Sequence, residues 1–327
     1  MAEYRAPGLY LESFPPSDRS VSPLRTDVTG FVGLAARGPV GRPVAVTSRE
    51  QFDAIFGGAL PGCYLAHAAH AFFLAGGRTL HVVRVVGPDG AKVAGLELAG
   101  SEGTALALTA TSAGAWANGM QVGVTPARRG ATRATAWAPG GEWVQVESAT
   151  GFAPGSVVRI RDPQPEGDAS LVADAYAVVD RVTGRQLFWR RPVTPVPLAG
   201  ALLETREFHL QVHLGREMEE YRFLGVDEAH PNFYGRAVNG VSRLIQIAAA
   251  DPGAELHLRV PDRQRGAMSE GTDGLEWVSP VSFTEGLQQL AGVAEVSIVA
   301  VPDVMSRMPP AVTPLPAPRP VGGGAPR

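Results

Sequence analysis

The sequence has 327 residues, of which 45% are hydrophobic, and a formal net charge of −3 at pH 7. This length and apolar content suffice for a substantial core divided over two or three domains. The charge comes without a basic stripe, so nucleic acid is not expected as a partner. Cys63 is the only cysteine, which excludes an internal disulfide and a cysteine-cluster metal site.

The chain has no recognisable targeting or membrane-spanning segment. Its N-terminus lacks the basic-then-apolar pattern of a secretory signal. No run reaches the roughly 18 apolar residues that a membrane helix needs. We therefore expect a soluble, cytoplasmic chain that does not insert into a membrane.

The first 26 residues are predicted to form an extended linkage arm. Prolines at positions 15, 16 and 23 prevent a helix and favour extended backbone. An extended segment with alternating apolar residues can add a strand to the sheet edge of a neighbour, although a frayed terminus is the alternative. The residues expected to make this contact are Pro7, Gly8, Leu9, Tyr10, Leu11 and Glu12.

Residues 27–87 have the pattern that opens an α/β layer. A strand over 29–34 and a short second strand are followed by a helix that begins after Ser48. A second, alanine-rich helix over 64–75 leads into a nearly continuous β-branched run over 79–86, which is typical of a strand buried on both faces.

The first helix carries two specific signals. Ser48 and Gln51 have the spacing of a capping box, in which each side chain satisfies a free backbone donor. Phe52, Ile55 and Phe56 lie at i, i+3 and i+4, so we expect them to bury one helical face against the β-branched strand.

The remainder divides into three parts. Residues 88–235 alternate short strand candidates with turn residues, which favours a sandwich or small barrel, with a separate β insertion at about 140–200. Residues 236–308 are predicted to resume the α/β core, and the Pro/Gly-rich residues 309–327 to be disordered. The predicted fold is thus an α/β core layer interrupted by a β-rich region, with an extended N-terminal arm and a disordered C-terminal tail.

No residue pattern points to catalysis, a cofactor or a metal. His67 and His70 lie one helical turn apart, but no carboxylate or cysteine is near them in sequence. Cys63 is expected to be a small packing residue, and Asp273 to serve the turn formed with the following glycine. The glycines at 30 and 33 lie inside a strand pattern, where close backbone packing explains them better than a phosphate loop.

Several motifs resemble those of tail sheath proteins of contractile phage tails and phage-tail-like injection systems. The arm is similar to the family's P-G-V-Y-V-E signature, and 286–301 is similar to its helix–strand unit. The turn at 114–118 has alanine where the family usually has a second glycine. The resemblance covers roughly residues 4–124 and 205–302. The other motif positions are Gly33, Gly38, Pro39, Phe52, Phe56, Gly57, Gly77, Trp116, Asn118, Gly271, Asp273 and Gly274.

The resemblance implies a non-enzymatic structural subunit. Such a protein polymerises around an inner tube, contracts by rigid-body rearrangement, and has other sheath subunits, the tube protein and baseplate or cap proteins as partners. An alternative within the same family is a truncated homologue that acts as a terminal-layer adaptor, near the baseplate or cap, and needs a full-length sheath partner. The reason is that sheath proteins normally continue after the strand that ends near residue 302, whereas the resemblance here stops there. An alternative of another class is a small-molecule enzyme on an α/β core, for which the sequence offers no site.

Overall fold

The computed structural model describes residues 28–88, 90–161, 174–276 and 278–306. The predicted arm and tail therefore lie outside the described residues. The helices are α1 (Arg49–Phe56), α2 (Leu65–Leu74), α3 (Tyr234–Ala237) and α4 (Pro280–Ala291). The strands are β1 (Val28–Gly33), β2 (Val44–Val46), β3 (Thr79–Arg84), β4 (Gly95–Gly100), β5 (Gly103–Ala110), β6 (Gln121–Ala127), β7 (Ala131–Trp137), β8 (Trp143–Val146), β9 (Val157–Arg161), β10 (Ala175–Thr183), β11 (Gln186–Trp189), β12 (Leu202–Thr205), β13 (Glu207–Leu214), β14 (Glu217–Leu224), β15 (Ile245–Ala249), β16 (Gln264–Ala267) and β17 (Ile298–Ala300).

The first sheet has the strand order β17–β1–β3–β2. Strand β1 is parallel to both β3 and β17, whereas β2 is antiparallel to β3. Phe31 and Val82 share a buried cluster with residues of α1 and α2. The alternate residues Val32 and Val83 share another with residues of α4. Since successive side chains of a strand point to opposite faces, the helices cover both faces of β1 and β3.

Helix α1 begins at its predicted cap but forms only half of the predicted capping box. The Ser48 hydroxyl accepts a hydrogen bond from the Gln51 amide at 3.1 Å. The Gln51 side chain instead reaches one residue further back and accepts from the Thr47 amide at 2.8 Å. Phe52 and Phe56 are buried in the cluster beneath the helix, as the helical spacing predicts, and Ile55 is half-buried against the same cluster.

The middle of the chain is β-rich, as predicted. Sheets β14–β13–β6–β16 and β15–β5–β4 are antiparallel and share one large buried core. Alternate residues of their strands point into it, for example Leu106 and Leu108 from β5 and Leu210 and Val212 from β13. This pairing of two sheets around one core is called the sandwich below.

Strands β7 to β12 close into a six-stranded barrel with a core of its own. The insertion predicted at about 140–200 therefore begins and ends outside those bounds. Strand β12 pairs with β7 as well as with β9, and this pairing closes the barrel. The chain enters and leaves the barrel at one place, because the Thr205 amide donates to the Gly130 carbonyl at 2.9 Å.

The return to the first sheet comes later than predicted. Strand β15 pairs with β5, and β16 pairs with β6, so both belong to the sandwich. The predicted boundary at 235/236 consequently falls within the sandwich. After the sandwich, α4 packs on one face of the first sheet and β17 joins that sheet as a strand. An apolar strand pattern shows that a strand is buried but not which sheet it joins.

Candidate functional site at the junction of the motif loops

Two of the motif loops lie against each other, although they are 153 positions apart in sequence. The Asn118 side-chain amide donates to the Gly271 carbonyl at 2.8 Å, and its oxygen accepts from the Gly271 amide at 2.9 Å. The Asp273 carboxylate accepts from the Ala115 amide at 2.7 Å. These side chains thus satisfy the backbone groups of the opposite loop, which fixes the two loops together.

Glycine is required where these loops touch. A Cβ on Gly271 would lie 2.4 Å from the Gly114 carbonyl oxygen. A Cβ on Gly114 would lie 2.4 Å from the Ala36 carbonyl oxygen, and this residue also has a φ of +147°. Both contacts are with backbone atoms, which cannot move aside as a flexible side chain could.

A buried arginine connects the loops to the first sheet. Arg84 is the last residue of β3, and its Nη1 donates to the Gly38 carbonyl at 3.0 Å and to the Ala113 carbonyl at 2.7 Å. Burial lowers the pKa of Arg84 to about 10, while the carboxylate of Asp273 acts in the opposite direction. The guanidinium therefore stays charged at neutral pH and joins the loop after β1 to the turn at 114–118.

Trp116 adds an aromatic contact to the same junction. Its indole nitrogen donates to the Ser112 carbonyl at 3.1 Å. The guanidinium of Arg37 lies 5.5 Å from the centre of the Trp116 ring, a distance at which a cation is attracted to an aromatic face. Since Trp116 packs against the sandwich core, this contact joins the sandwich to the segment that follows β1.

Most of the remaining motif positions lie in the first sheet, its helices or its loops, whereas Gly274 follows Asp273, where a Cβ would lie 2.6 Å from the Gly90 carbonyl oxygen. Gly57 ends α1 with a φ of +80°. A Cβ on Gly77 would lie 2.4 Å from the Phe72 ring. Pro39 lies in the loop between β1 and β2. Gly38, Asn118, Gly271 and Asp273 thus meet at the junction, whereas these three positions shape individual elements. The motif at 7–12 lies outside the described residues.

Asp303 is a buried carboxylate that the sequence interpretation missed. Its oxygens accept from the Leu34 amide at 2.7 Å, from the Tyr64 amide and from the Ser306 hydroxyl at 3.2 Å. A Cβ on Gly33 would lie 2.6 Å from the same carboxylate, which explains the glycine there. The sequence signal was an Asp soon after an apolar strand pattern, at 296–301.

The position of Asp303 bears on ligand binding. The carboxyl ends of parallel strands and the N-terminus of a following helix are where open α/β sheets usually bind ligands. Here the Leu34 amide ends β1 and the Tyr64 amide precedes α2, and both donate to Asp303. The chain's own carboxylate occupies donors that an anionic ligand would need.

Cys63 is buried beside this carboxylate. Burial raises the pKa of its thiol to about 11, and the carboxylates of Asp303 and Asp273 act in the same direction. A thiol with this pKa stays protonated at neutral pH and is a poor nucleophile. The burial of Cys63 in an apolar cluster supports the packing role expected from the sequence.

One histidine of the α2 pair contacts a carboxylate of α1. His70 Nε2 lies 2.7 Å from Asp53 Oδ1, so this histidine links α2 to α1. Within the described residues, no three His, Cys, Asp or Glu side chains are grouped as a metal ion would require. None of the helices in the same ranges is long and apolar enough to cross a membrane.

A second buried polar cluster joins the barrel to the sandwich. Glu207 Oε2 accepts from the Thr205 hydroxyl at 2.8 Å, and Glu207 Oε1 lies 3.7 Å from His230 Nε2. Arg190, which follows β11, makes two hydrogen bonds of 2.6 and 2.9 Å with Asp227. Sequence patterns gave no sign of this cluster, because its members come from distant segments.

No protein-family model matches the sequence, and no curated protein matches it. Among solved structures, a sheath tail protein of Listeria innocua is 13% identical with a TM-score of 0.40, and the match covers 84% of this chain and 40% of that one. A sheath tail protein of Desulfitobacterium hafniense is 9% identical with a TM-score of 0.41, and the match covers 90% and 45%. The chain is similar to sheath tail proteins. It spans less than half the length of these two sheath tail proteins.

Proposed function

We propose that this chain is a sheath-like structural subunit of a contractile tail or injection machine. The observation that carries the proposal is the junction at Arg84. There, two loops that resemble sheath motifs bond to each other and, through Arg84 and Trp116, to the first sheet. In a contracting lattice, subunits move as rigid bodies, so the sheet and the sandwich must not move relative to each other. A junction made of several hydrogen bonds between loops from distant parts of the chain suits that task.

The proposed partners follow from the resemblance. They are other sheath subunits, an inner tube protein and baseplate or cap proteins, assembled in a cytoplasm into a phage tail or phage-tail-like particle. Lattice contacts of this kind are heterologous, because head-to-tail interfaces build rings and open helices rather than closed dimers. The proposed role is mechanical and requires no catalytic residue.

Assembly with tube and sheath proteins tests the proposal. The purified chain is mixed with an inner tube protein and, separately, with that tube protein and a full-length sheath protein, and the products are examined by negative-stain electron microscopy. Sheathed tubes from the chain and tube alone support an ordinary sheath subunit. Incorporation that needs the full-length sheath supports the terminal-layer adaptor. Exclusion of the chain from both assemblies refutes a sheath-like role.

Deletion of residues 1–26 tests the arm. We expect the shortened chain to unfold at nearly the same temperature as the full chain, because the described cores begin at Val28. Incorporation into tube and sheath assemblies should be lost, since the arm is proposed to link subunits. Deletion of 309–327 is the matched control and should leave incorporation intact. A large fall in melting temperature without residues 1–26 would show that the arm is a permanent internal strand on which the fold depends, instead of a segment that is free to link subunits.

A further inference from the structure

The first sheet has an open apolar edge at β17. Within the described residues, β17 is the outermost strand and pairs with β1 alone. Ile298 and Val299 are 46% and 51% exposed. Because neighbouring residues of a strand point to opposite faces, the edge is uncovered and apolar on both faces.

An edge of this kind needs protection. Exposed strand edges carry unpaired backbone donors and acceptors, and proteins usually guard them with charges, prolines or bulges. Strand β17 reads Ile-Val-Ala and has none of these within it. Its length of three residues limits pairing with other strands, but Ile298 and Val299 remain exposed, so a covering segment would bury apolar surface.

The segment at 8–11 has the composition that such an edge needs. In an extended strand, Leu9 and Leu11 would face one side and Tyr10 the other. The segment is thus apolar on both faces, as is the exposed edge of β17. It contains no proline, so the backbone amides of alternate residues can donate to a neighbouring strand on one side.

The chain tethers this segment close to the open edge. Strand β1 begins at Val28, whose carbonyl accepts from the Ser297 amide at 3.1 Å, directly before β17. Residues 12–27 therefore connect the segment to the N-terminal end of β17. About 16 residues span roughly 50 Å when extended, which far exceeds the length of one short strand. Tethering by a short linker gives an effective concentration in the millimolar range.

We propose that residues 8–11 pair with the outer edge of β17 of their own chain while the subunit is free. An antiparallel arrangement places Leu11 near the end of the sheet where β1 begins, and Tyr10 opposite Val299. The contact covers the open edge, and it must open before the same segment can link to a neighbour. This contact belongs to the isolated chain, so it does not depend on the proposed sheath-like role.

Disulfide trapping tests the pairing in the absence of any partner protein. In a Cys63→Ala background, Tyr10→Cys and Val299→Cys place two thiols on the same face of adjacent strands. Leu9→Cys with Val299→Cys is the matched control, because those side chains lie on opposite faces. The dilute protein is oxidised mildly, and cross-linked monomer and dimer are separated on a non-reducing gel. We expect at least tenfold more cross-linked monomer from the first pair than from the control.

Two results would overturn the proposal. Equal monomer cross-linking by both pairs would mean that the segment only passes near the edge, and cross-linked dimer as the main product would assign the edge to a second copy. Hydrogen exchange provides a measurement without cysteines. Amides of 298–300 should exchange at least tenfold faster after deletion of residues 1–12, and unchanged exchange rates would also refute the fold-back contact. The tube-assembly experiment can fail or succeed independently of these results.

Discussion

Single residues at the junction carry contacts that sequence patterns do not reveal. The apolar run over 79–86 correctly predicts a buried strand. The observed strand, β3, ends at Arg84, whose charged side chain is fully buried. Burial of a charged group is costly without hydrogen-bond partners. Nη1 of Arg84 donates to the carbonyls of Gly38 and Ala113, whereas its Nε and Nη2 have no partner among the described residues. Neither partner could be inferred from composition or spacing, because each is a backbone group brought in by the fold.

The Asn118 side chain permits a matched test of the junction. It makes two hydrogen bonds to the backbone of a single residue. Asn239 makes an equivalent pair elsewhere, because its side-chain amide donates to the Ile247 carbonyl and its oxygen accepts from the Ile247 amide, both at 2.8 Å. Asn118→Ala and Asn239→Ala each leave a backbone donor and acceptor unpaired, so both should lower the free energy of unfolding by about 1–3 kcal/mol. We expect only Asn118→Ala to impair incorporation into tube and sheath assemblies. Equal incorporation of both variants would argue against a functional junction.

Cys63 should be unreactive in the folded chain. Burial and two carboxylates raise the pKa of its thiol to about 11, so almost no thiolate exists near pH 8, where an ordinary thiol is partly ionised. A chromogenic disulfide reagent should therefore label the native protein at least a hundredfold more slowly than the urea-unfolded protein. Comparable labelling rates would show that the thiol is exposed and ionised.

At the scale of elements, α1 tests how far helical spacing determines packing. Phe52 is buried against the first sheet, so Phe52→Ala should lower the free energy of unfolding by roughly 3–5 kcal/mol. The exposed Arg49, on the same helix, supplies the control, since surface substitutions usually change stability by about 0.5 kcal/mol or less. Urea denaturation of both variants measures the difference. Stability of Phe52→Ala close to that of the unaltered chain would contradict the face assignment.

In the middle region the sequence predicts the strands but not how they pair. Alternation of apolar and polar residues predicts strands and identifies their buried faces. Pairing is set by contacts between distant segments, such as β15 with β5 and β12 with β7. For this reason the β-rich class is predictable, whereas the bounds of the barrel and the late return to the first sheet are not.

The contact between barrel and sandwich should depend on pH. Burial alone would raise the pKa of Asp227, but hydrogen bonds from Arg190 and the Ala229 amide outweigh it and hold the pKa below its ordinary value. The ionised group therefore adds stability above about pH 4, the ordinary range of an aspartate, and this contribution is lost as the pH falls through the lowered pKa. Asp227→Asn should destabilise the chain at pH 7 and have little effect at about pH 2. An equal loss at both pH values would rule out this linkage.

At the scale of the whole molecule, the described residues form distinct cores joined by polar contacts and, between barrel and sandwich, also by Val157 of β9, which is buried in the sandwich core. The sandwich and the barrel each enclose their own cluster, and the first sheet has a cluster on each face. The sheet meets the sandwich at Arg84, and the barrel meets the sandwich at Asp227 and Glu207. Polar contacts specify one orientation at each boundary, because a shifted arrangement would leave buried groups unpaired.

The barrel should fold without the rest of the chain. Its core is made by its own strands, and its two ends are adjacent, because the Thr205 amide bonds to the Gly130 carbonyl. We expect a fragment of residues 129–206 to show a single cooperative unfolding transition by circular dichroism. Leu187→Ala, which removes a fully buried side chain of this core, should lower the stability of the fragment by about 2–5 kcal/mol.

The complementary deletion connects this architecture to the proposed role. Replacing 131–204 by a short Gly/Ser linker removes the barrel but leaves the junction at Arg84 untouched. The shortened chain should be less stable, because Asp227 loses Arg190 as its partner. It should still enter tube and sheath assemblies, since the motif loops and the arm remain. Loss of incorporation in a shortened chain that still unfolds cooperatively would show that the barrel itself makes lattice contacts.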